Sequence, residues 1–429
     1  MVAVSHEPSA PWSGPHLTEM ADGTVKQVNP FTGTQVWTVP GRANRPLAPP
    51  RDHHARLDPA QEGRWCAFCS RRYLETTPER RRIVRRGNQF AAIDGVPAAR
   101  LFDTLAEFRV FPNLFEIVSY DYWRLNHGYE PPQAAQRRHR AYLASGAGRA
   151  HLAALVRTRM RAAGERADDW DARDLAERTI GLFAGCHDVV VARRHYVDGA
   201  TYDDELASSG TLTPQEHDQY IGLTIDALAN LYDVNPHARQ VSVFQNWLRP
   251  AGASFDHLHK QLVAVDDHGP DLQVQIDRLR SEPTLYERWG PRYAATHGLL
   301  IARNQHAVMT AGVGHRYPAI EIWSTVPGRP WELSRPVRRD FSDLLHAAHA
   351  ATGSAVPCNE EWHHQPRDVE YDMPLRAVLK WRISTLAGFE GGTRIYLNTI
   401  DPWTLRERVT TRLRELQLDG RLGDVRLTS

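Results

Sequence analysis

Two histidines and a glutamine occupy alternate positions, at His257, His259 and Gln261, shortly after a Gly-Ala-Ser turn that begins at Gly252. Alternate side chains of a β-strand point to the same face, so the three are predicted to form a row. An imidazole can attack phosphorus, an amide can hold a phosphate oxygen, and turn N–H groups can bind phosphate. A solvated polar strand face is the alternative, but this combination and spacing favour attack of an imidazole on phosphorus.

A second motif with chemical potential is the Cys-x-x-Cys pair, Cys66 and Cys69. Its spacing is that of a metal-binding or redox pair. The chain has 4 cysteines in 429 residues, too few for a disulfide scaffold. No helical pattern opens directly on the motif, which argues against a thioredoxin-like redox site. The pair is therefore predicted to supply half of a tetrahedral zinc site, two unrelated free cysteines being the alternative.

The length and composition of the chain indicate a folded protein large enough for two domains. A chain of 429 residues, 41% hydrophobic and 24% charged, can build two domain-sized units and is not globally disordered. The 52 Lys and Arg residues against 51 Asp and Glu argue against nucleic-acid or membrane partners bound by bulk charge. The N-terminus lacks a signal-peptide pattern and no window is apolar enough for a membrane span, so a cytoplasmic protein is expected.

Hydrophobic periodicity places the motifs on a mixture of strands and helices. The histidine row belongs to the second of two strands that flank the Gly252 turn. Thr213, Pro214 and Glu216 have the pattern of a helix start with a capping box. The predicted strands are 110–120 (with an asparagine turn inside it), 188–192, 241–244 and 258–265, and the predicted helices include 134–143, 151–163 and 403–416.

Asn246, the Gly252-Ala253-Ser254 turn and the run His257-Leu258-His259-Lys260-Gln261 together resemble the signature of the galactose-1-phosphate uridylyltransferases. That family belongs to the histidine-triad superfamily, which also contains diadenosine tetraphosphate phosphorylases. The resemblance continues in order along the chain, at Asn29–Gly33, Gly41–Pro46, Val110–Asn113, Gly185–Val189 and Ala387–Glu390.

The resemblance implies an α+β fold of two histidine-triad-like lobes that form one extended, mostly antiparallel sheet flanked by helices. Residues 1–270 would form the lobe with the zinc site and the catalytic motif, including a helical insert at about 126–180. Residues 271–429 would form the second lobe.

The resemblance also implies a role for individual residues. His259 would be the nucleophile, and Gln261 would bind the phosphoryl group. His195 and His257 would complete a structural zinc site with Cys66 and Cys69. The residues that would bind the nucleotide or its phosphates are Arg42, Arg45, Asn113, Asn246, Gly252 and Ser254.

The sequence departs from the family pattern in the second lobe. The family has a Trp-His pair there, matched by Trp362-His363, followed by a His-x-His that helps to bind a second metal ion. This chain has the stretch Arg376–Arg382 where that His-x-His is expected, so the second metal site is predicted to be lost. Lys380 and Arg382 alternate on one predicted face and could meet an anionic acceptor, or they could lie on a solvated edge strand. Lys260 faces away from the histidine row and is predicted to be structural or interfacial.

These observations predict a nucleotidyltransferase. It would take a nucleotide from a nucleoside-diphosphate conjugate such as a UDP-sugar, hold it on His259 and pass it to a phosphorylated acceptor. The resemblance implies a homodimer. One alternative is a phosphorylase or hydrolase of dinucleoside polyphosphates that uses the same histidine. The other is a zinc-stabilised nucleotide-binding protein without turnover.

Overall fold

A computed structural model describes residues 15–41, 54–166 and 171–428. Two predicted phosphate-binding residues, Arg42 and Arg45, lie outside the described residues.

The strands are β1 (Leu17–Glu19), β2 (Val25–Val28), β3 (Gln35–Thr38), β4 (Arg81–Arg86), β5 (Gln89–Asp94), β6 (Ala106–Pro112), β7 (His187–Ala192), β8 (Gln240–Trp247), β9 (His259–Val265), β10 (Leu300–Arg303), β11 (Ala307–Ala311), β12 (Ala319–Pro327), β13 (Cys358–His363), β14 (Pro374–Trp381), β15 (Ile395–Asn398) and β16 (Arg426–Leu427). The helices are α1 (Tyr120–His127), α2 (Gln133–Ala144), α3 (Gly146–Ala162), α4 (Ala172–Thr179), α5 (Gly181–Ala184), α6 (Pro214–Val234), α7 (Gly269–Ser281), α8 (Leu285–Trp289), α9 (Pro291–Thr296), α10 (Arg335–Thr352), α11 (Gly388–Thr393) and α12 (Pro402–Leu418).

A sheet of twelve antiparallel strands organises the molecule, in the order β16-β10-β11-β12-β14-β13-β8-β9-β7-β6-β4-β5. Strands from before residue 270 form one side of this sheet, and strands from after it form the other. The two sides meet where β8 pairs with β13. The predicted α+β fold, with an extended antiparallel sheet flanked by helices, is confirmed.

A small sheet formed by β1, β2, β3 and β15 packs against the second half of the chain. Its tight turn is built on Asn29, whose Oδ1 accepts hydrogen bonds from the N–H groups of Phe31 and Thr32. The Nδ2 of Asn29 donates to the Val313 carbonyl, and Phe31 packs beside Trp323. The segment that contains β1 to β3 is thereby fixed to the second half of the chain.

Two long helices, α6 and α10, cover one face of the twelve-stranded sheet near its centre. The capping box predicted for α6 is present, because the Thr213 and Glu216 side chains each bond to the other's backbone N–H. Both helices contribute many buried apolar residues to the core. None of the described helices is both long and apolar enough to cross a membrane.

The predicted strand 110–120 is shorter than expected. It ends at Pro112, because Asn113 turns the chain when its Oδ1 accepts a hydrogen bond from the Phe115 N–H. The chain then reaches α1, whose first residue is Tyr120. The helical segment around the predicted insert contains α1 to α5, so it runs from Tyr120 to Ala184.

Candidate active site and metal centre

His259 is the first residue of β9 and is 5% exposed. Its Nδ1 lies 2.7 Å from the carbonyl oxygen of His257. A carbonyl only accepts, so Nδ1 carries the proton and the lone pair lies on Nε2. Burial lowers the pKa of His259 to about 4, which keeps the imidazole neutral at pH 7. The arrangement presents a neutral imidazole nitrogen with a fixed tautomer.

Gln261 lies two residues further along β9 and is oriented by His187 on the neighbouring strand β7. The His187 Nδ1 accepts a hydrogen bond from the Ile117 N–H at 3.1 Å, so its Nε2 carries the proton and donates to Gln261 Oε1 at 3.0 Å. Burial lowers the pKa of His187 to about 4, consistent with this neutral form. The carboxamide of Gln261 is therefore turned so that its NH₂ group remains a donor. The Asn113 Nδ2 lies 3.1 Å from His187 Nε2, and since both groups are donors in this assignment, this is a contact and not a hydrogen bond.

The four predicted zinc ligands converge although they come from three separate parts of the chain. The ligand atoms of Cys66, Cys69, His195 and His257 all lie within 4.8 Å of one another. The two Sγ atoms are 3.8 Å apart. His257 Nδ1 lies 3.3 Å from Cys66 Sγ, and His195 Nδ1 lies 3.6 Å from Cys69 Sγ.

These separations fit a tetrahedral zinc ion. Bond lengths of ~2.3 Å to sulfur and ~2.0 Å to nitrogen place tetrahedral ligand atoms ~3.3–3.8 Å apart. A hydrogen bond from the Cys66 thiol lowers the pKa of Cys69, and a thiolate is the form that binds metal. The other ring nitrogen of His257 bonds to the Ala192 carbonyl at 2.7 Å, which orients its Nδ1 towards the cysteines. The set can hold zinc, and one ligand, His257, also supplies the carbonyl that orients His259.

The turn before β9 contains Gly252 and Ser254, two of the residues predicted to bind phosphate. Gly252 has a φ of +90°, a left-handed conformation that favours glycine. Its N–H donates to the Arg249 carbonyl, so this group is committed within the turn. Ser254 is exposed beyond it, and Asn246 lies on β8, just before the turn.

Strand pairing continues the face of β9 that bears His259 from the first half of the sheet into the second. Phe244 pairs with Gln261, and Asn246 lies two residues further along the same face of β8. Asn246 pairs with Asn359 on β13, which in turn pairs with Lys380 on β14. Directly paired residues point to one face. His259, Asn246, Asn359 and Lys380 therefore form a line across four strands, here called the register row.

The second half of this face lacks a metal-ligand cluster among the described residues. His315 instead bonds to Glu321 at 2.9 Å, and Arg376 lies 3.5 Å from the same carboxylate. The Arg376 guanidinium is held between the rings of Phe31 and Trp323, at 4.8 and 4.7 Å from their centroids. Another group of three possible ligands, His54, Asp203 and Asp204, lies at the surface.

The opposite face of β9 carries a buried ion pair that the sequence did not predict. Lys260 Nζ lies 2.5 Å from Glu360 Oε1, and neither side chain is exposed. Glu360 also accepts hydrogen bonds from His349 on α10 and from the Trp362 indole. The pair connects the catalytic strand to β13 of the second half. It confirms that Lys260 faces away from the histidine row.

Breaking this pair is expected to destabilise the protein more than removing both charges. Lys260→Met leaves a buried carboxylate without its cation, and Glu360→Gln leaves a buried ammonium without its anion, each at about 3–5 kcal/mol. The double variant should cost clearly less than the sum of the two single variants. The measurement is the free energy of unfolding by urea for all four proteins. Additive losses would show that the two side chains do not interact.

The structure thus brings His259, Gln261, Asn113 and Asn246 to one face and gathers the four predicted metal ligands beside them. Two contributors, Asn359 and Glu360, were missed by the sequence analysis. Asn359 holds Asn246 Oδ1 at 2.7 Å, and Glu360 holds Lys260. No local pattern marks either residue, because Asn359 acts on a residue 113 positions away in the sequence and Glu360 on one 100 positions away.

The chain matches one family model and has the fold of known proteins. A family model described as "Domain of unknown function (DUF4921)" matches residues 20–429. The crystal structure of an ADP-glucose phosphorylase from Arabidopsis thaliana with bound ADP-glucose has a TM-score of 0.55 and 17% identity, covering 90% of this chain and 98% of that chain. A GALT-like protein from Arabidopsis thaliana has a TM-score of 0.55 and 16% identity, with the same coverage. The search of curated proteins gives no match. The predicted resemblance is confirmed at the level of the fold.

Proposed function

Because the chain belongs to the family described as domain of unknown function DUF4921 and shares the fold of a GALT-like protein, we propose that it is a nucleotidyltransferase. The observation that carries the proposal is the orientation of His259. Its Nδ1–H is bound to a carbonyl, and its Nε2 lone pair lies on the same sheet face as the Gln261 amide. Such an imidazole suits nucleophilic attack on phosphorus.

The proposed donor is a nucleoside-diphosphate conjugate of the UDP-sugar or ADP-sugar type. His259 Nε2 attacks the α-phosphorus, and the bond from that phosphorus to the bridging oxygen breaks. A sugar phosphate leaves, and the nucleotide remains bound through a P–N bond. A phosphate oxygen of the acceptor then attacks the same phosphorus, the P–N bond breaks, and His259 returns as neutral imidazole.

The other residues of the site have supporting roles in this scheme. The Gln261 NH₂, turned outwards by His187, donates to a non-bridging oxygen whose negative charge grows in the transition state. In this scheme Asn113 contacts the nucleoside, and Asn246 and Ser254 contact the phosphates. Zinc would be held by Cys66, Cys69, His195 and His257, where it would fix the bend that carries the His257 carbonyl.

The proposal is tested by incubating the protein with single nucleotide donors and measuring its intact mass. UDP-glucose, ADP-glucose and diadenosine tetraphosphate are offered separately, without an acceptor. A mass increase of one nucleoside monophosphate with at least one of them is the expected result. Turnover of diadenosine tetraphosphate with phosphate, but of neither sugar nucleotide, would instead favour a dinucleoside polyphosphate phosphorylase. A thermal shift with nucleotide but no adduct and no product would identify a binding protein without turnover.

A further inference from the structure

Basic side chains at the end of strand β14 lie on the sheet face that carries His259. Lys380 ends the register row, and Arg382, one residue beyond the strand, reaches that row through a hydrogen bond from its Nη1 to Asn359 Oδ1. Three strand steps of ~4.8 Å place the backbone of Lys380 roughly 14 Å from that of His259. This distance exceeds the length of one phosphate group. A cation here would meet a different part of a bound molecule from the part that reacts at His259.

The surroundings of these cations do not match a solvated edge strand. β14 lies inside the sheet, between β12 and β13. Lys380 is paired with Glu361 at 2.6 Å, and its side chain is only 17% exposed. Arg382 donates to Asn359 Oδ1 at 2.6 Å and lies over the Tyr317 ring at 4.6 Å. Its Nε has no hydrogen-bond partner among the described residues.

These contacts fix the position of the Arg382 guanidinium, and they leave its Nε–H without a hydrogen-bond partner among the described residues. A buried donor without a partner is costly, so a bound acceptor atom at this position would be favoured. Between Arg382 and His259, the Asn246 Oδ1 is occupied by Asn359, and this leaves the Asn246 NH₂ as a donor towards the site. The row thus offers a nucleophile, then an amide, then cations.

On the basis of the proposed function, we infer that Lys380 and Arg382 bind a second anionic group of the sugar phosphate. They bind it both in the sugar phosphate that leaves the donor and in the one that attacks the His259-bound nucleotide. The near phosphate lies beside His259 and the Asn246 amide, the sugar spans the distance towards β14, and the far anion meets the cations. The substrate class is a sugar phosphate that also carries a carboxylate or a second phosphate. The same subsite serves the leaving group and the acceptor, because each occupies it in turn.

The test uses protein that already carries the nucleotide on His259, and measures the rate at which the adduct is lost to three acceptors. These are glucose 1-phosphate, glucuronic acid 1-phosphate and glucose 1,6-bisphosphate, which differ only at the end far from the reacting phosphate. At least one charged acceptor should discharge the adduct about 10- to 100-fold faster than glucose 1-phosphate. Which of the two is faster distinguishes a carboxylate from a phosphate.

Variants at the basic end sharpen the test. Lys380→Met should remove most of the preference for the charged acceptor. Glu361→Gln should lower the concentration of charged acceptor needed, because the carboxylate that competes for Lys380 is gone. Lys26→Met, at a lysine on β2 outside the register row, is the control and should keep the wild-type preference.

Two results would overturn the inference while leaving the proposed function intact. One is an adduct that all three acceptors discharge equally. The other is a preference that survives Lys380→Met unchanged. If no donor forms an adduct on the wild-type protein, the proposed function itself fails, and this subsite fails with it.

Discussion

Replacement of His259 by glycine is expected to abolish the nucleotidyl adduct and to lower kcat by at least about 10⁴-fold, the scale seen when a covalent nucleophile is removed. The physical reason is that Nε2 of this imidazole is the atom that bonds to phosphorus. Neither Gln261 nor His187 can replace it, since the first is an amide and the second has its Nε2 proton directed at Gln261. Intact-mass measurement after incubation with donor, together with steady-state rates, checks both parts.

A histidine away from the site serves as the control. His297 lies after α9, with Nδ1 bonded to the Tyr293 carbonyl at 2.9 Å. His297→Gly should keep the adduct. Circular dichroism of His259→Gly should show a folded protein, although its melting temperature should fall somewhat, because a buried ring is removed from β9 and glycine is unfavourable in a strand. Wild-type turnover in a folded His259→Gly protein would refute the assignment of the nucleophile.

Freshly purified protein is expected to contain about one zinc ion per chain, and Cys66→Ser is expected to lose most of it. A hydroxyl is a much weaker zinc ligand than a thiolate. Each tenfold loss of zinc affinity removes about 1.4 kcal/mol of stabilisation when zinc is in excess of its dissociation constant. A 100-fold loss would therefore lower stability by about 3 kcal/mol, which is visible as a lower melting temperature. Activity should fall as well, because the zinc ligand His257 supplies the carbonyl that orients His259.

The matched control is Cys186→Ser, at a buried cysteine outside the cluster. Zinc measured by elemental mass spectrometry should remain at the wild-type level in this variant, whatever its effect on packing. A wild-type protein purified without metal would contradict the zinc assignment. So would a Cys66→Ser protein that keeps a full complement of zinc.

Local sequence patterns were sufficient to predict the conformation of several parts of the molecule. The two-residue repeat of a strand placed Gln261 on the face of His259 and Lys260 on the opposite face, and the structure has both. The capping pattern at Thr213 fixed the start of α6 to the residue. The strand predicted for 110–120 was too long, because the side-chain hydrogen bond that turns the chain at Asn113 competes with continued pairing.

The zinc partners and the second half of the site could not be read from local pattern. Only the family resemblance pointed to His195 and His257, which lie 126 and 191 positions from the cysteines they approach. Nothing in the sequence indicated that Glu360 neutralises Lys260, or that Asn359 links Asn246 to Arg382.

By itself, then, the sequence determined which residues are able to do chemistry, because spacing along one strand is a property of the local backbone. The tertiary structure decided which of them meet. It paired β8 with β13 and so continued the line from His259 to Lys380 across four strands. The physical reason is that strand order and register depend on how the whole sheet buries its apolar face, a condition that no single segment contains.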